Sequence, residues 1–280
     1  MIASMNQQVT IIISVYDHIV FLKAVLESIE SQSFQDFEII ISEDGQHREM
    51  KAFLENRTWK HPWQHLTQQD TGWRKNKALN RAIMASSHPY LIFIDGDCIL
   101  HPRFVEMHVK YAKNGRFLGG KRVKLSPEIT QEYLNQGLRI HQLPWHVWKS
   151  SFSFNKQPHR FPEEGLFINP SGPLGFIPAF RSISELRGCN MSMFKKDLLA
   201  INGFDEDYTL PAIGEDIDLT WRMKKLGLEL YSVRNLAVVF HLYHKENWLD
   251  QEINLSLLQQ KQNKGNVNCL HGIINLEGSR

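Results

Sequence analysis

The first patterned stretch, Val9 to Val15, reads VTIIISV and is apolar at nearly every position. So short a run, so rich in β-branched side chains, predicts a strand covered on both faces rather than a helix. From Phe21 to Ser31 the period changes. Phe21, Val25 and Ile29 stand four apart with Leu22 and Leu26 beside them, which predicts an amphipathic helix. Phe37 to Ser42 repeats the strand pattern, and the EDG that follows is a turn. WQHLTQQ predicts a weaker third strand, Arg74 to Ala85 a helix, and Tyr90 to Ile94 a fourth strand. Strands alternating with helices require right-handed crossovers and a mainly parallel sheet.

Between about Leu125 and Arg187 the periodicity weakens, and aromatic, proline and histidine residues crowd together. The stretch is too apolar for a disordered linker, so a partly helical excursion over the sheet is expected. Long segments of this kind usually act as lids or binding walls. Order returns in RGCNMSMFKKDLLAINGFDEDY, which predicts a strand and then a short helix from Lys195 to Ile201, stopped near Gly203. AIGEDIDLTWRMKKLG predicts a helix opened by Glu215 and Asp216, with Leu219, Met223 and Leu226 on one face and Gly227 as its stop.

Composition narrows the class rather than the function. Hydrophobic residues at 42% and charged residues at 22% describe an ordinary globular chain. A formal charge of +2 is too small a field to argue for nucleic acid, although attraction to a phosphate-rich membrane surface stays open. The start MIASMNQQVTIII lacks the layout of a secretion signal, and no apolar run approaches the ~20 residues of a membrane span. Cys98, Cys189 and Cys269 are odd in number and lack metal-type spacing, so reduced thiols in a cytoplasmic protein are expected.

Four stretches carry candidate chemistry. In an open α/β sheet, ligands bind beyond the carboxyl ends of the strands. Asp95 and Asp97, separated by Gly96, sit at such an end, as do Glu43 and Asp44. Two carboxylates so spaced can hold a hard divalent cation whose other ligands are phosphate oxygens, although an acidic turn reads the same way. Glu215 and Asp216 suit a helix dipole, yet a carboxylate pair fixed on a helix end is also a platform for a general base. His241 and His244, at the end of a β-branched run, can ligate a metal or simply pack. Arg74, Lys75 and Lys77 stand at the unfavourable end of a helix dipole, which suggests a nearby anion or a solvated surface.

In this order the motifs VTIIISVY, IIISEDG, KALNRAI, IFIDGDCILHP, RGCNMSMFKKDLLAINGFDEDY and GEDIDLTWRMKKLG resemble the inverting family-two glycosyltransferases of GT-A fold. The resemblance covers roughly residues 8 to 248 and leaves 125 to 185 unmatched. VFHLYHKEN is similar to the histidine-bearing segment of chondroitin-polymerase-like and galactosyltransferase-like members, and NKGNVNCLHGIINL to their C-terminal tails. The resemblance implies an α/β, Rossmann-like, mainly parallel sheet flanked by helices. It further implies one domain over residues 1–250, divided into a nucleotide-sugar half (8–125) and an acceptor half (126–250), with a packed tail over 251–280.

Residue by residue, the resemblance implies that Val15 and Tyr16 line the nucleobase and ribose pocket, with Asp44 accepting from uracil and Glu43 beside it. Lys77 is expected near the diphosphate or sugar, Asp95 and Gly96 near ribose or donor sugar, and Asp97 on Mn2+ or Mg2+. His241 is the expected further metal ligand, with His244 as the alternative. Gly188 and Asn190 are expected at the border of donor and acceptor, Asp216 as the base, and Glu215 on an acceptor hydroxyl. Trp145, Trp148 and Phe152 are candidates to stack on sugar faces. The implied reaction moves a hexose or N-acetylhexosamine from a UDP-sugar to a saccharide or lipid-linked acceptor. A nucleotidyltransferase would show a glycine-rich basic loop after the first strand, and SVYDHIVF has neither glycine nor lysine. A non-catalytic sugar-nucleotide scaffold should have lost one of the two acidic motifs, and both are present.

Overall fold

A computed structural model describes residues 7–150, 160–245 and 250–276. Its elements run β1 (Val9–Val15), α1 (Ile19–Glu30), β2 (Phe37–Glu43), α2 (Arg48–Glu55), β3 (Trp63–Leu66), α3 (Lys75–Ala85) and β4 (Tyr90–Asp95). The chain continues through β5 (Cys98–Leu100), α4 (Phe104–Tyr111), β6 (Arg116–Gly119), β7 (Val123–Lys124), α5 (Pro127–Leu134) and α6 (Leu143–Ser150). It closes with β8 (Met191–Phe194), α7 (Lys195–Ala200), α8 (Asp218–Lys225), β9 (Glu229–Ser232), β10 (Val239–His241) and α9 (Glu252–Lys264).

Seven strands form the main sheet in the order β3-β2-β1-β4-β8-β6-β9. Every pairing is parallel except those of β8, which runs against both β4 and β6. The sheet is therefore mainly parallel, as the alternation of periods predicts. Side chains of a strand point alternately to its two faces, and the core divides along that alternation. Ile11, Ile13, Ile39, Ile41, Ile92 and Ile94 pack with Leu22, Val25, Leu26 and Ile29 of α1 and with Phe104 and Val105 of α4. Ile12, Ile40, Leu91 and Phe93 pack the opposite face with Leu79, Ala82 and Ile83 of α3 and Leu219 and Met223 of α8. The uninterrupted apolar runs are those of strands with helices on both sides.

A smaller sheet, β5-β10-β7, hangs beyond the carboxyl end of β4. The 125 to 187 excursion is anchored on it through Ile129, Leu138, Leu143 and Val147, which pack against Ile99, Val123 and Phe240. Ser126 caps α5 by accepting from the Ile129 amide, with Pro127 at the first helical position. The C-terminal tail is tied to the body by Asn202, whose side chain donates to the carbonyls of Cys269 and Ile274.

Two expectations are corrected. Glu215 and Asp216 do not open the α-helix; they lie in a π-helical turn, Ile213–Ile217, and α8 starts at Asp218. Leu226 does not share the buried face of Leu219 and Met223, because α8 ends at Lys225 and Leu226 caps it, 39% exposed.

Candidate active site

The carboxyl ends of β1, β2 and β4, the smaller sheet and the π-helical turn surround one cavity of about 940 Å3. Val15, Tyr16, Asp44, Asp95, Gly96, Asp97, Gly188, Glu215, Asp216, His241 and His244 all line it. Residues up to 229 positions apart in sequence, from Val15 to His244, thus meet where the sheet topology delivers strand ends.

At one end, Tyr16 is half exposed and donates from its hydroxyl to Asp70 Oδ2 at 2.8 Å. Asp44 accepts from Gln68 Nε2 and from the Arg74 amide, both at 2.7 Å. Glu43 does not reach the cavity. It is fully buried beneath Asp44, where it binds the His47 amide and the ring nitrogens of His47 and His65. Burial alone would raise its carboxyl, but those donors hold it below the usual range. β2 ends at Glu43 and Asp44 follows in the turn, so the two acids meet different surroundings and do not share one role.

The middle of the cavity holds the DGD acids. Gly96 does not supply a left-handed turn; a Cβ there would stand 2.8 Å from Val15 Cγ1, so glycine is needed for the close approach of β1 and β4. Asp95 accepts from Lys75 Nζ at 2.7 Å and faces Arg122 at 3.8 Å. Asp97 Oδ2 lies 3.2 Å from His241 Nε2 and 3.1 Å from His244 Nε2. Burial would raise the Asp97 carboxyl, but the two imidazoles hold it well below the usual range. One carboxylate and two imidazoles with converging ligand atoms fit a divalent metal, and the two nitrogens favour Mn2+ over the strictly oxygen-seeking Mg2+. Asp95, Cys98 and Cys189 also converge, but Arg122 Nη1 lies 3.4 Å from Cys189 Sγ. With Lys75 and Arg122 already beside them, that set is ion-paired rather than open to a cation. The three cysteines are free thiols and buried.

The opposite wall carries the carboxylate pair. The π-helical turn follows Ala212, held at φ +86, and Gly214 lies so close to the Tyr208 ring that a Cβ would come within 2.4 Å of it. Non-glycine residues in such conformations cost about 1–3 kcal/mol and concentrate at functional sites. Asp216 Oδ1 accepts from the Gly188 amide at 2.6 Å, and its Oδ2 faces Arg187 at 3.7 Å. Burial, reinforced by the neighbouring charge of Glu215, raises the Asp216 carboxyl well above the ordinary value. Glu215 is raised by burial and opposed by Lys75, whose ammonium is 3.2 Å away.

Lys77 is exposed and outside the cavity, and the lysine that enters the site is Lys75. Two residues apart on a helix face away from each other. Asn190 is also absent from the lining. Its side chain is fully buried, donates to the carbonyls of Lys121 and Ala237, and accepts from His108. It pins the strand end that carries Gly188. Trp145 and Trp148 stand away from the cavity, and Phe152 lies outside the described residues. Among the described residues, the aromatic of the excursion that does line the cavity is Phe161. Lys121, Arg122, Lys124, Arg160 and Arg187 line it as well; no periodicity marks them, because they come from loops and, for Lys124, from the two-residue strand β7.

The profile of the Glycosyl transferase family 2 matches residues 10–182, and that of the N-terminal domain of galactosyltransferase matches 180–245. No curated protein sequence matches the chain. Among solved structures it is similar to the mannosyltransferase PcManGT from Pyrobaculum calidifontis in complex with GDP-Man and Mn2+, with TM-score 0.55 and 13% identity over 86% of this chain and 58% of that one. It is likewise similar to S. aureus TarS, with TM-score 0.56 and 12% identity over 91% of this chain and 39% of that one. The chain thus spans less than two thirds of either neighbour, and at these identities the likeness is one of fold. The family profile covers more than half of the chain and takes in the first two acidic motifs: the chain belongs to glycosyl transferase family 2.

Proposed function

We propose that this glycosyltransferase moves a hexose or N-acetylhexosamine from a UDP-sugar to a saccharide or lipid-linked acceptor, with inversion and with a bound divalent metal. One observation carries the reading: the Asp97, His241 and His244 cluster and the Glu215 and Asp216 pair line the same cavity, with Lys75 joined to both Asp95 and Glu215. The nucleotide is assigned to the end of Val15, Tyr16 and Asp44, and the acceptor to the end of Gly188 and Asp216.

Mn2+ on Asp97, His241 and His244 would neutralise the charge that develops on the leaving diphosphate. The chain's own residues do the rest. Asp216 accepts the proton of the acceptor hydroxyl as that oxygen attacks the anomeric carbon, opposite the bond to the diphosphate. The new C–O bond forms as the old one breaks, which inverts the centre without a covalent enzyme intermediate. Its raised carboxyl suits Asp216 to this work, since a base with an ordinary aspartate pKa would take a hydroxyl proton less readily. The Gly188 amide holds Asp216 in orientation. Lys75 keeps Asp95 and Glu215 apart from direct repulsion, and Glu215 is left to hold an acceptor hydroxyl.

The same fold in PcManGT is described with GDP-Man and Mn2+, which supports a nucleotide-sugar donor and Mn2+ here. Among the described residues no helix is long and apolar enough to cross a membrane. We assign the chain to the cytoplasm, with a lipid-linked acceptor met at the inner membrane face. Hydrolysis of UDP- and GDP-sugars in Mn2+ without acceptor tests the reading. Release of UDP is the expected result; turnover of no nucleotide sugar would sink it.

A further inference from the structure

We infer that Lys121, Arg160 and Phe161 form a subsite for an anionic sugar residue, bearing a carboxylate or a phosphate, in the acceptor. This rests on the glycosyl-transfer reading and names the acceptor's chemistry. The place of the subsite follows from strand order. The assigned nucleotide residues emerge from β1 and β2, whereas Lys121 follows β6, which lies beyond β4 and β8 in the sheet. The DGD acids at the end of β4 therefore stand between the nucleotide end and Lys121. Gly120 donates from its amide to the Asn190 carbonyl, which keeps Lys121 beside the strand end that carries Gly188 and thus beside Asp216.

Arg160 is brought to the same side by a two-way backbone bridge with Lys124. Lys121 and Arg160 line the cavity, and among the described residues neither is ion-paired with a carboxylate. Arg122 and Arg187 differ, since Asp95 and Asp216 face them. Two cations left unmatched beside a catalytic cavity are complementary to an anion. Phe161 supplies a second, independent observation. It lines the cavity half exposed, at φ +61, with the Lys121 ammonium 5.8 Å from its ring centroid. An exposed aromatic held in a strained backbone, flanked by unmatched cations, offers an apolar face for a sugar ring and charge for its acidic substituent.

The test measures binding to the full chain by calorimetry with UDP and Mn2+ present. Three disaccharide probes are compared: one ending in glucuronic acid, the same one reduced to glucose, and one ending in glucose 6-phosphate. One of the charged probes should bind about tenfold more tightly than the neutral one, with the advantage falling as salt rises. The tighter of the two names the source of the anion. K121A/R160A should erase the advantage and leave UDP affinity as it was, and Phe161→Leu should weaken charged and neutral probes alike. Equal binding of all three probes, or binding of none, overturns the subsite while UDP binding keeps the reaction assignment intact. Loss of UDP affinity in K121A/R160A with saccharide binding unchanged also overturns it, because the cations would then serve the donor diphosphate. Failure of the wild type to bind UDP would overturn the reaction assignment itself.

Discussion

His244 Nε2 stands 3.1 Å from Asp97 Oδ2, as close as His241 on the neighbouring strand end. The pair that reads in sequence as one ligand and one alternative converges on a single carboxylate. Both imidazoles are therefore expected to hold metal. His241→Ala and His244→Ala should each raise the Mn2+ concentration for half-maximal activity by at least about tenfold. A titration in which only one variant moves would restore the single-histidine reading.

Lys75 bridges Asp95 at 2.7 Å and Glu215 at 3.2 Å, joining the walls assigned above to donor and acceptor. Its removal would strip buried Glu215 of its ion pair and leave Asp95 with Arg122 alone, and breaking a buried pair typically costs about 3–5 kcal/mol. Lys75→Met should lower kcat/KM at least about a hundredfold, while Lys77→Met, on the exposed face of α3, should change it less than about twofold. Steady-state rates for the two variants side by side check this directly.

That contrast shows where sequence is legible. Val9 to Val15 and Tyr90 to Asp95 are buried on both faces, so composition alone marks them as central strands. The acids after them follow from the rule that sites gather at strand ends. Lys75 and Lys77 are harder to separate, because the first turn of a helix has no periodic partner before it to set the phase. Asn190 is polar, stands two residues after Gly188 and reads as a site residue, yet its amide is spent on the carbonyls of Lys121 and Ala237, contacts that only the folded topology creates. Arg160 and Phe161 lie in an excursion without period, so nothing local announces them.

Asp216 carries a cost that a catalytic base is expected to carry. Its carboxyl is raised in the fold, so it favours folding at acid pH and loses that contribution as pH rises through the folded value. Asp216→Asn keeps an acceptor oxygen for the Gly188 amide and cannot ionise. The variant should retain UDP binding, lose transfer, and melt higher than the wild type at pH 7, by about 2 °C or more. Its advantage should shrink toward pH 4, and an advantage that grows toward acid would contradict the raised carboxyl.

The same carboxyl sets the acid limb of turnover. Asp216 must be ionised to accept a proton, so kcat/KM should rise with pH, with a midpoint above the ordinary aspartate value of about 3.9. The positive charge of Lys75 opposes the upward shift. Any turnover left in Lys75→Met should show the limb displaced to higher pH. A limb unmoved by that change would assign the titration to another group.

Outside the cavity lining, Lys261 of α9 reaches Asp205 Oδ2 at 2.6 Å and Asp207 Oδ2 at 2.5 Å, and Leu258 of the same helix packs on Tyr208 and Ile213. Gly214 is pressed against Tyr208, whose hydroxyl donates to Asp218 at 3.2 Å. The tail thus braces the π-helical turn from behind. Lys261→Met would leave Asp205, buried and already raised by burial, next to Asp207 without their shared cation. The expected loss of stability is about 2 kcal/mol by denaturant titration. If bracing is what matters, kcat should fall while UDP affinity stays, since α9 packs on the π-helical turn and the nucleotide is assigned to the ends of β1 and β2. Equal losses in both would mean that α9 supports the fold as a whole rather than the carboxylate pair.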